Sequence, residues 1–587
     1  MQTYRSIWRR RIAEALRELA REREIDDSRI REEDVIAERP PRPELGDVGF
    51  PLFPFAKVFR TSPAALAELV VERLDGTDAR LEAAGPYANV HLERAAYARA
   101  VLSAIEEEGD AYGRGEYYGG QRIMVEFSAP NTNKPLHLGH LRNDAIGESV
   151  ARIVAAAGAE VRKVNLINDR GIHICKSMLA YRRFGEGQTP ESTGEKPDKF
   201  VGRFYVEYAR WAQDDPSAEE QARRMLHAWE QGDEETMELW QAMNEWAVSG
   251  ILQTYERTGV TFDDIYYESR TYGAGREEVL KGLERGVFYQ DQSGTVWVDL
   301  EDIDLDKKVL LRGDGTSLYL TQDIGTAIQR QHDWPFDRLI YVVASEQRYH
   351  FTVLFHVLQR LGFRWAQNLF HLAYGMVNLP EGKMKSREGT VVDADDLLDD
   401  LAELARGEIR EKEREAEVSD MDRTAEAIAL GALHYYLLAV NPMKDIVFDP
   451  AESLSFTGNT GPYLQYTGAR IRSIVRKAAE RAGGATRPRA GDIDVSALDS
   501  KEDWELLKLL GEFPERVEEA AADYNPAVIS AYLFELAKTF ARYYHEYPIL
   551  SAPTPQARDA RFLLAISTAQ VLKNGFYLIN IPFLESM

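Results

Sequence analysis

The pattern of apolar and polar positions changes period along this chain and divides it into three stretches. In residues 1–110, Ile7, Ile12, Ala15, Leu16 and Leu19 recur near every 3.6 residues, which predicts a helix over 7–19. Residues 40–54 are rich in Pro and Gly and read as loop. Ser62 and Pro63 supply a cap and a first-turn proline for a second helix, through Leu66, Leu69, Val70 and Leu74. Residues 87–92 read as a strand, and residues 109–120 as a linker.

Residues 111–394 form the second stretch, in which strand and helix alternate from Gln121 to about Tyr374. A short apolar run at 123–127 precedes a helix over 138–157, built on Leu141, Ala145, Ile146, Val150, Ile153, Val154 and Ala157 and closed by Gly158. Further strands fall at 161–167, 339–343 and 369–374. This alternation predicts a Rossmann-like, doubly wound parallel sheet. Residues from about 184 to 319 break it and read as an insertion, with an acidic helical segment holding Trp229, Trp240 and Trp246. Residues 395–587 are helical in pattern at 397–404, 424–440, 460–477, 505–523, 527–544 and 557–578, around an acidic loop at 483–500. The expected fold class is multidomain α/β plus all-α: a small α/β N-terminal domain, a parallel-sheet domain with an insertion, and a C-terminal helical bundle.

Composition narrows the picture. The 587 residues are 44% apolar, enough for several cores, and no stretch reaches the roughly 18 apolar residues of a membrane helix. The Arg-rich first helix also carries Glu14, Glu18, Glu22 and Glu24, unlike a transit or secretory segment. Cys175 is the single cysteine, which excludes internal disulfides and multi-cysteine zinc sites and suits the cytoplasm. Net charge is −25, with 18 Lys against 53 Arg. A salt-adapted or a GC-rich source would each give that bias. Bulk acidity does not exclude a nucleic-acid partner, because affinity comes from the phosphates contacted locally.

Two segments carry chemistry. The strand at 123–127 runs through Ser128-Ala129-Pro130-Asn131-Thr132-Asn133-Lys134-Pro135-Leu136 into His137-Leu138-Gly139-His140 and a helix. A loop at the carboxyl end of a strand, feeding a helix N-terminus, is where α/β sheets bind phosphates. His137 and His140 share one face of the first turn, and Gly139 lets a nucleotide approach the backbone. Two imidazoles there can donate to a triphosphate whose charge grows in the transition state. By itself H-x-G-H is a weak signal and reads equally as helix capping; the strand–loop–helix setting strengthens it. Some 240 residues on, Gly382-Lys383-Met384-Lys385-Ser386-Arg387-Glu388-Gly389-Thr390 makes a flexible cationic loop able to close over a leaving pyrophosphate. Neither a P-loop nor an H-E-x-x-H string occurs, so Walker-type ATPase and zinc-hydrolase readings have no support.

Together the two segments resemble the "HIGH" and "KMSKS" signatures of class I aminoacyl-tRNA synthetases, and the longer strings around them resemble the arginyl-tRNA synthetases. The second departs from its pattern: Lys385 stands where Ser is usual and Ser386 where the second Lys is usual. Arginyl enzymes often carry that Lys just before the His motif instead, the place of Lys134; the cation comes from Lys134, Lys385 or both. The resemblance implies catalytic roles for Lys134, His137, His140, Lys383 and Lys385, and ATP contacts from Gly139, Asn143, Glu346, Met376, Val377 and Ser386. It implies an arginine pocket of Glu126, Asn131, Tyr319, Asp323 and Gln347. A planar guanidinium needs fixed carboxylate or phenol acceptors, and Tyr319 and Asp323 are one helical turn apart. Ala129 stands where the family often has Ser, so a hydroxyl contact there is lost.

The helix through Tyr463, Tyr466, Arg470, Arg472, Arg476 and Lys477 interleaves aromatics with cations, as single-stranded RNA readers do, although a tyrosine core row with a solvated basic face has the same pattern. By the resemblance, residues 395–587 form an anticodon-binding domain with tRNA contacts at Tyr463, Tyr466, Arg470 and Met587, closed by a strand-like tail, and residues 1–110 contact the tRNA elbow. The implied activity is ATP-dependent ligation of L-arginine to tRNA(Arg) through an arginyl-adenylate. Mg2+ is expected to bind with ATP and without a dedicated protein site. The chain is expected to act as a cytoplasmic monomer with no membrane partner. Another class I synthetase or a small-molecule adenylating ligase remains the alternative among enzymes, and a tRNA-binding paralogue the alternative outside them. The helical tail counts against the ligase, and the retained His and Lys segments against the paralogue.

Overall fold

The computed structural model describes residues 4–74, 79–313, 318–378, 380, 392–411, 418, 420–481 and 488–587. Helix α1 (Tyr4–Glu22) precedes strand β1 (Val48–Pro51), helices α2 (Phe53–Phe59) and α3 (Pro63–Leu74), strands β2 (Arg80–Ala84) and β3 (Tyr87–His91), and α4 (Arg94–Glu108). Then come β4 (Arg122–Glu126), α5 (Leu138–Ala156) and β5 (Glu160–Ile167). Five helices follow: α6 (Ile172–Phe184), α7 (Pro190–Thr193), α8 (Pro197–Asp214), α9 (Ser217–Glu230) and α10 (Glu234–Thr258). They lead to β6 (Asp264–Tyr267) and α11 (Glu268–Glu284). Strands β7 (Tyr289–Gln290), β8 (Val296–Val298) and β9 (Lys308–Leu311) form a small antiparallel sheet. Next are α12 (Tyr319–Asp333), β10 (Arg338–Ala344), α13 (Arg348–Arg360), β11 (Leu369–Tyr374) and β12 (Val377–Asn378). After α14 (Ala394–Glu411) and α15 (Met421–Leu438), β13 (Ile446–Val447) pairs with β12. The remaining helices are α16 (Pro450–Ser453), α17 (Gly461–Arg481), α18 (Lys501–Ala522), α19 (Ala527–Glu546) and α20 (Pro555–Leu578).

The chain forms two compact units. One comprises Met1–Arg114, Ile471–Arg516 and Glu535–Asn574. Its N-terminal core gathers Trp8, Ile12, Leu16 and Leu19 of α1, Phe50 of β1, Leu66 and Val70 of α3 and Val90 of β3. Full burial of each such side chain contributes about 1.5–3 kcal/mol. Residues 40–54 do not remain loop: β1 lies within them and pairs antiparallel with β3 from Val48–Val90 to Pro51–Tyr87. The alternation of its inward side chains is hidden because all four of its residues are buried. The segment 109–120 is no free linker either, since Tyr112 and Tyr118 are buried.

The other unit comprises Gly115–Arg470, Val517–Phe534 and Gly575–Met587. Its centre is a five-stranded sheet in the order β11-β10-β4-β5-β6, every pairing parallel. The stretch 184–319, read as a single insertion, is interrupted: β6 belongs to this sheet and pairs with β5 from Val164–Asp264 to Ile167–Tyr267. Only four residues long, β6 is too short to show against the helical pattern around it. The chain builds outward from β4 through β5 to β6, then returns to β10 on the other side of β4. That reversal opens a crevice beyond the carboxyl ends of β4 and β10, the topological switch point. Helices α11 and α12 cross closely: a Cβ added at Gly275 would lie 1.7 Å from the Thr321 carbonyl oxygen, and one at Gly325 2.5 Å from the Gly275 nitrogen. The tail after α20 contains no strand.

Candidate active site

The site begins where β4 ends. Ser128 and Ala129 hold successive φ values of 75° and 50°, left-handed backbone that costs a non-glycine residue about 1–2 kcal/mol. Four hydrogen bonds hold the turn. The Ser128 N–H donates to Asn143 Oδ1 at 2.6 Å, and the Ser128 hydroxyl meets the Tyr255 hydroxyl at 2.6 Å. The Ala129 N–H donates to Asn165 Oδ1 at 3.1 Å, and Asn168 Nδ2 donates to the Ala129 carbonyl at 3.2 Å. Asn131 continues the path as an isolated parallel bridge to Asn168. Asn143, which the family pattern implied as an ATP contact, holds this turn. It is buried, and its amide also donates to the Val342 carbonyl and the Tyr374 hydroxyl, tying together the ends of three strands.

His137 caps α5. Its Nδ1 accepts from the Gly139 N–H at 3.1 Å, and the His140 Nδ1 accepts from the His137 N–H at 3.2 Å. The rings lie 3.9 Å apart. Burial, with the Lys134 charge beside it, pulls the His137 imidazole down to about 4. Burial, His137 and Lys134 hold His140 well below its ordinary value. Both rings are therefore neutral near pH 7. A neutral imidazole that accepts at Nδ1 carries its proton on Nε2, so each ring offers one Nε2–H donor. Capping and phosphate donation are thus compatible in the same side chains. At Gly139 a Cβ would meet the His137 ring at 2.9 Å. Burial also lowers the Lys134 pKa from the usual lysine value.

Lys383, Lys385 and Ser386 lie outside the described residues. The segments on either side of them are bonded to the His loop and α5. Before them, the buried Arg142 of α5 donates to the Met376 carbonyl at 2.7 Å and to the Pro442 carbonyl at 3.2 Å. Met376 is 40% exposed, while Val377 is buried in the β12–β13 pair. After them, the Leu138 N–H donates to the Val392 carbonyl and the Ala394 N–H to the Leu136 carbonyl, with His137 and Asp393 bridged.

Acidic groups converge on the same crevice. Glu126, the last residue of β4, is buried and ion-paired with Arg330 of α12. Arg330 lies 5.1 Å from the Tyr266 ring centroid and 6.0 Å from that of Tyr341. Burial pushes the Glu126 carboxyl up, and the Asp323 charge adds to this against the pull of Arg330. Asp323 Oδ2 lies 2.6 Å from His350 Nε2, a partner the sequence did not announce. Tyr319, first in α12, is 76% exposed. Glu346 and Gln347 are exposed on a helical turn, Ser345–Gln347, that follows β10. Glu268, first in α11, has its carboxyl raised to about 7 by burial, with Asp169 and Asp323 adding to the shift. Asp144 of α5 went unnoticed in the sequence: its carboxyl is buried, with the Ser128 hydroxyl as a weak neighbour that lowers its pKa only in part. Burial lifts it to about 8.

On α17, the Arg470 guanidinium lies 4.6 Å from the Tyr466 ring centroid and donates to its hydroxyl at 2.8 Å. Tyr463 packs on Phe534 at 5.9 Å, and Arg476 and Lys477 are exposed. Met587 is 4% exposed.

A doubly wound parallel sheet with neutral, capped imidazoles at its switch point, beside converging carboxylates, is the catalytic architecture of the class I aminoacyl-tRNA synthetases. The family model described as tRNA synthetases class I (R), catalytic domain, matches residues 107–450. The DALR anticodon binding domain matches 464–587, and the Arginyl tRNA synthetase N terminal domain matches 6–92. The arginine–tRNA ligase of Treponema denticola is 54% identical, with 100% of both chains covered, and that of Borrelia hermsii 44%, with 98% of both covered. The solved arginyl-tRNA synthetase of Thermus thermophilus superposes with a TM-score of 0.84 at 28% identity, with 100% of both chains covered. The chain belongs to the arginyl-tRNA synthetase family of class I.

Proposed function

We propose that this enzyme joins L-arginine to tRNA(Arg) at the expense of ATP, in two steps at the switch point. The arginine carboxylate attacks the α-phosphorus; the bond to the bridging oxygen breaks and pyrophosphate leaves, giving arginyl-adenylate. The ribose hydroxyl at the tRNA terminus then attacks the arginyl carbonyl and AMP departs. Positioning and electrostatics carry both steps, with no side-chain nucleophile. The observation that carries the reading is the pair of imidazoles on the first turn of α5, each accepting a backbone N–H at Nδ1 and so turning Nε2 to a phosphate. Lys134 and the lysine segment 383–385 supply cations for the growing charge, and Gly139, Glu346, Met376, Val377 and Ser386 border the nucleotide. Glu126, Asn131, Tyr319, Asp323 and Gln347 take the amino acid. Mg2+ accompanies ATP.

The α17 row of Tyr463, Tyr466 and Arg470 meets the anticodon end of the tRNA, and the N-terminal residues meet its elbow. Among the described residues no helix is long and apolar enough to cross a membrane, and the enzyme works as a cytoplasmic monomer. Pyrophosphate exchange with each of the twenty amino acids, with and without tRNA(Arg), tests the reading. Exchange with arginine and with no other amino acid is the expected result; exchange driven by another amino acid, or none with arginine even in the presence of tRNA, would overturn it.

A further inference from the structure

Asp323 lies one turn into α12, at the mouth of the crevice, with its side chain 32% exposed. A carboxylate on a free χ2 torsion can turn its oxygens in many directions, whereas a planar guanidinium needs the acceptor plane fixed. The His350 Nε2–Asp323 Oδ2 contact of 2.6 Å supplies that constraint from another element. His350 sits in the first turn of α13, three residues after Gln347. Its own ring is braced edge-on by Phe351, 5.7 Å away. Phe351 is buried and lies 4.5 Å from the His371 ring, and His371 in turn bonds the Val343 carbonyl at 2.9 Å. The chain of contacts runs from β10 and β11 to Oδ2 of Asp323. Glu126 has a different counter-group, Arg330.

We propose that His350 is a positioning residue of the amino-acid site: its Nε2–H fixes the Asp323 carboxylate in the plane that receives the substrate guanidinium. This rests on the reading of Asp323 as a guanidinium acceptor. The contribution shows in arginine binding, because the carboxylate meets the guanidinium equally in ground and transition states. Steady-state arginylation of tRNA, with arginine and ATP varied separately, should be compared for the parent enzyme, H350A, H350Q and D323N. Loss of a hydrogen bond to a charged group is expected to raise the arginine KM of H350A roughly tenfold, with the ATP KM and kcat little changed. The Gln amide reaches the former Nε2 position, so H350Q should recover most of the loss. D323N should be worse than H350A. An unchanged arginine KM in H350A, a parallel rise in the ATP KM, or an H350Q as poor as H350A, beside a damaged D323N, would overturn the positioning role and leave the pocket standing. An undamaged D323N would overturn both.

Discussion

Asp144 lies on α5, directly in the helix that the two histidines cap, and its buried carboxyl is raised to about 8. In the unfolded chain an aspartate releases its proton near pH 4. Between those values the native state holds a proton the unfolded state has lost. Stability from this group is therefore greatest below pH 4 and falls as pH rises, by about 1.4 kcal/mol per unit, until it levels off above pH 8. From pH 5 to pH 8 the loss is about 3 to 4 kcal/mol. D144N preserves the shape of the protonated acid and cannot ionise. Its absolute stability includes an unknown cost for the new amide, but that cost is the same at every pH and cancels from the slope. Thermal unfolding of the parent and D144N in parallel at pH 5, 6, 7 and 8 reads the effect. At roughly 2–4 °C per kcal/mol for a domain of this size, the gap in midpoint should move by several degrees in favour of D144N as pH rises. A gap that stays flat across this range would refute the reasoning, because it would mean that the native carboxyl ionises as readily as the unfolded one.

D323A is expected to lower arginine kcat/KM by the equivalent of about 2–5 kcal/mol, the cost of removing a carboxylate from a desolvated guanidinium, with the ATP KM nearly unchanged in initial-rate assays. K134A should slow single-turnover adenylate formation with little change in arginine affinity, and K385A should do far less; the reverse ranking would assign the second lysine role to Lys385. G275A forces a Cβ against the Thr321 carbonyl, and is expected to cost several kcal/mol and to spoil arginine binding through α12, read as a lower unfolding midpoint together with a raised arginine KM. Burial holds His434, whose ring bonds the Asn580 carbonyl at 2.6 Å, down to about 4. Because the unfolded histidine protonates near 6.5, acidification from pH 6.5 to 4 should remove about 3 kcal/mol through this group; a matched H434N titration by thermal unfolding should lose that part of the acid sensitivity.

Much of the fold is written in local pattern. A 3.6-residue spacing marks which face of a helix must be covered, and it located α5, α15, α17, α19 and α20 to within a few residues of their ends. The first chemical loop was legible because its meaning is local too: a strand, a turn and a helix N-terminus in immediate succession place His137 and His140 together whatever surrounds them. Local pattern does not say which other element does the covering. Strand order is absent from the sequence, so the recruitment of β6 and the crevice between β4 and β10 emerge only when five strands pair. The same holds for the partners that set the chemistry. Glu126 meets Arg330, 204 residues away, and Asp323 meets His350, 27 residues away, because the sheet brings the start of α13 and the length of α12 over the end of β4. Asn143 and Met587 carry family-like identities, and only the tertiary structure shows that both are buried. The raised Asp144 and the lowered His137 follow from the same cause, since desolvation belongs to the packed interior and not to the residue.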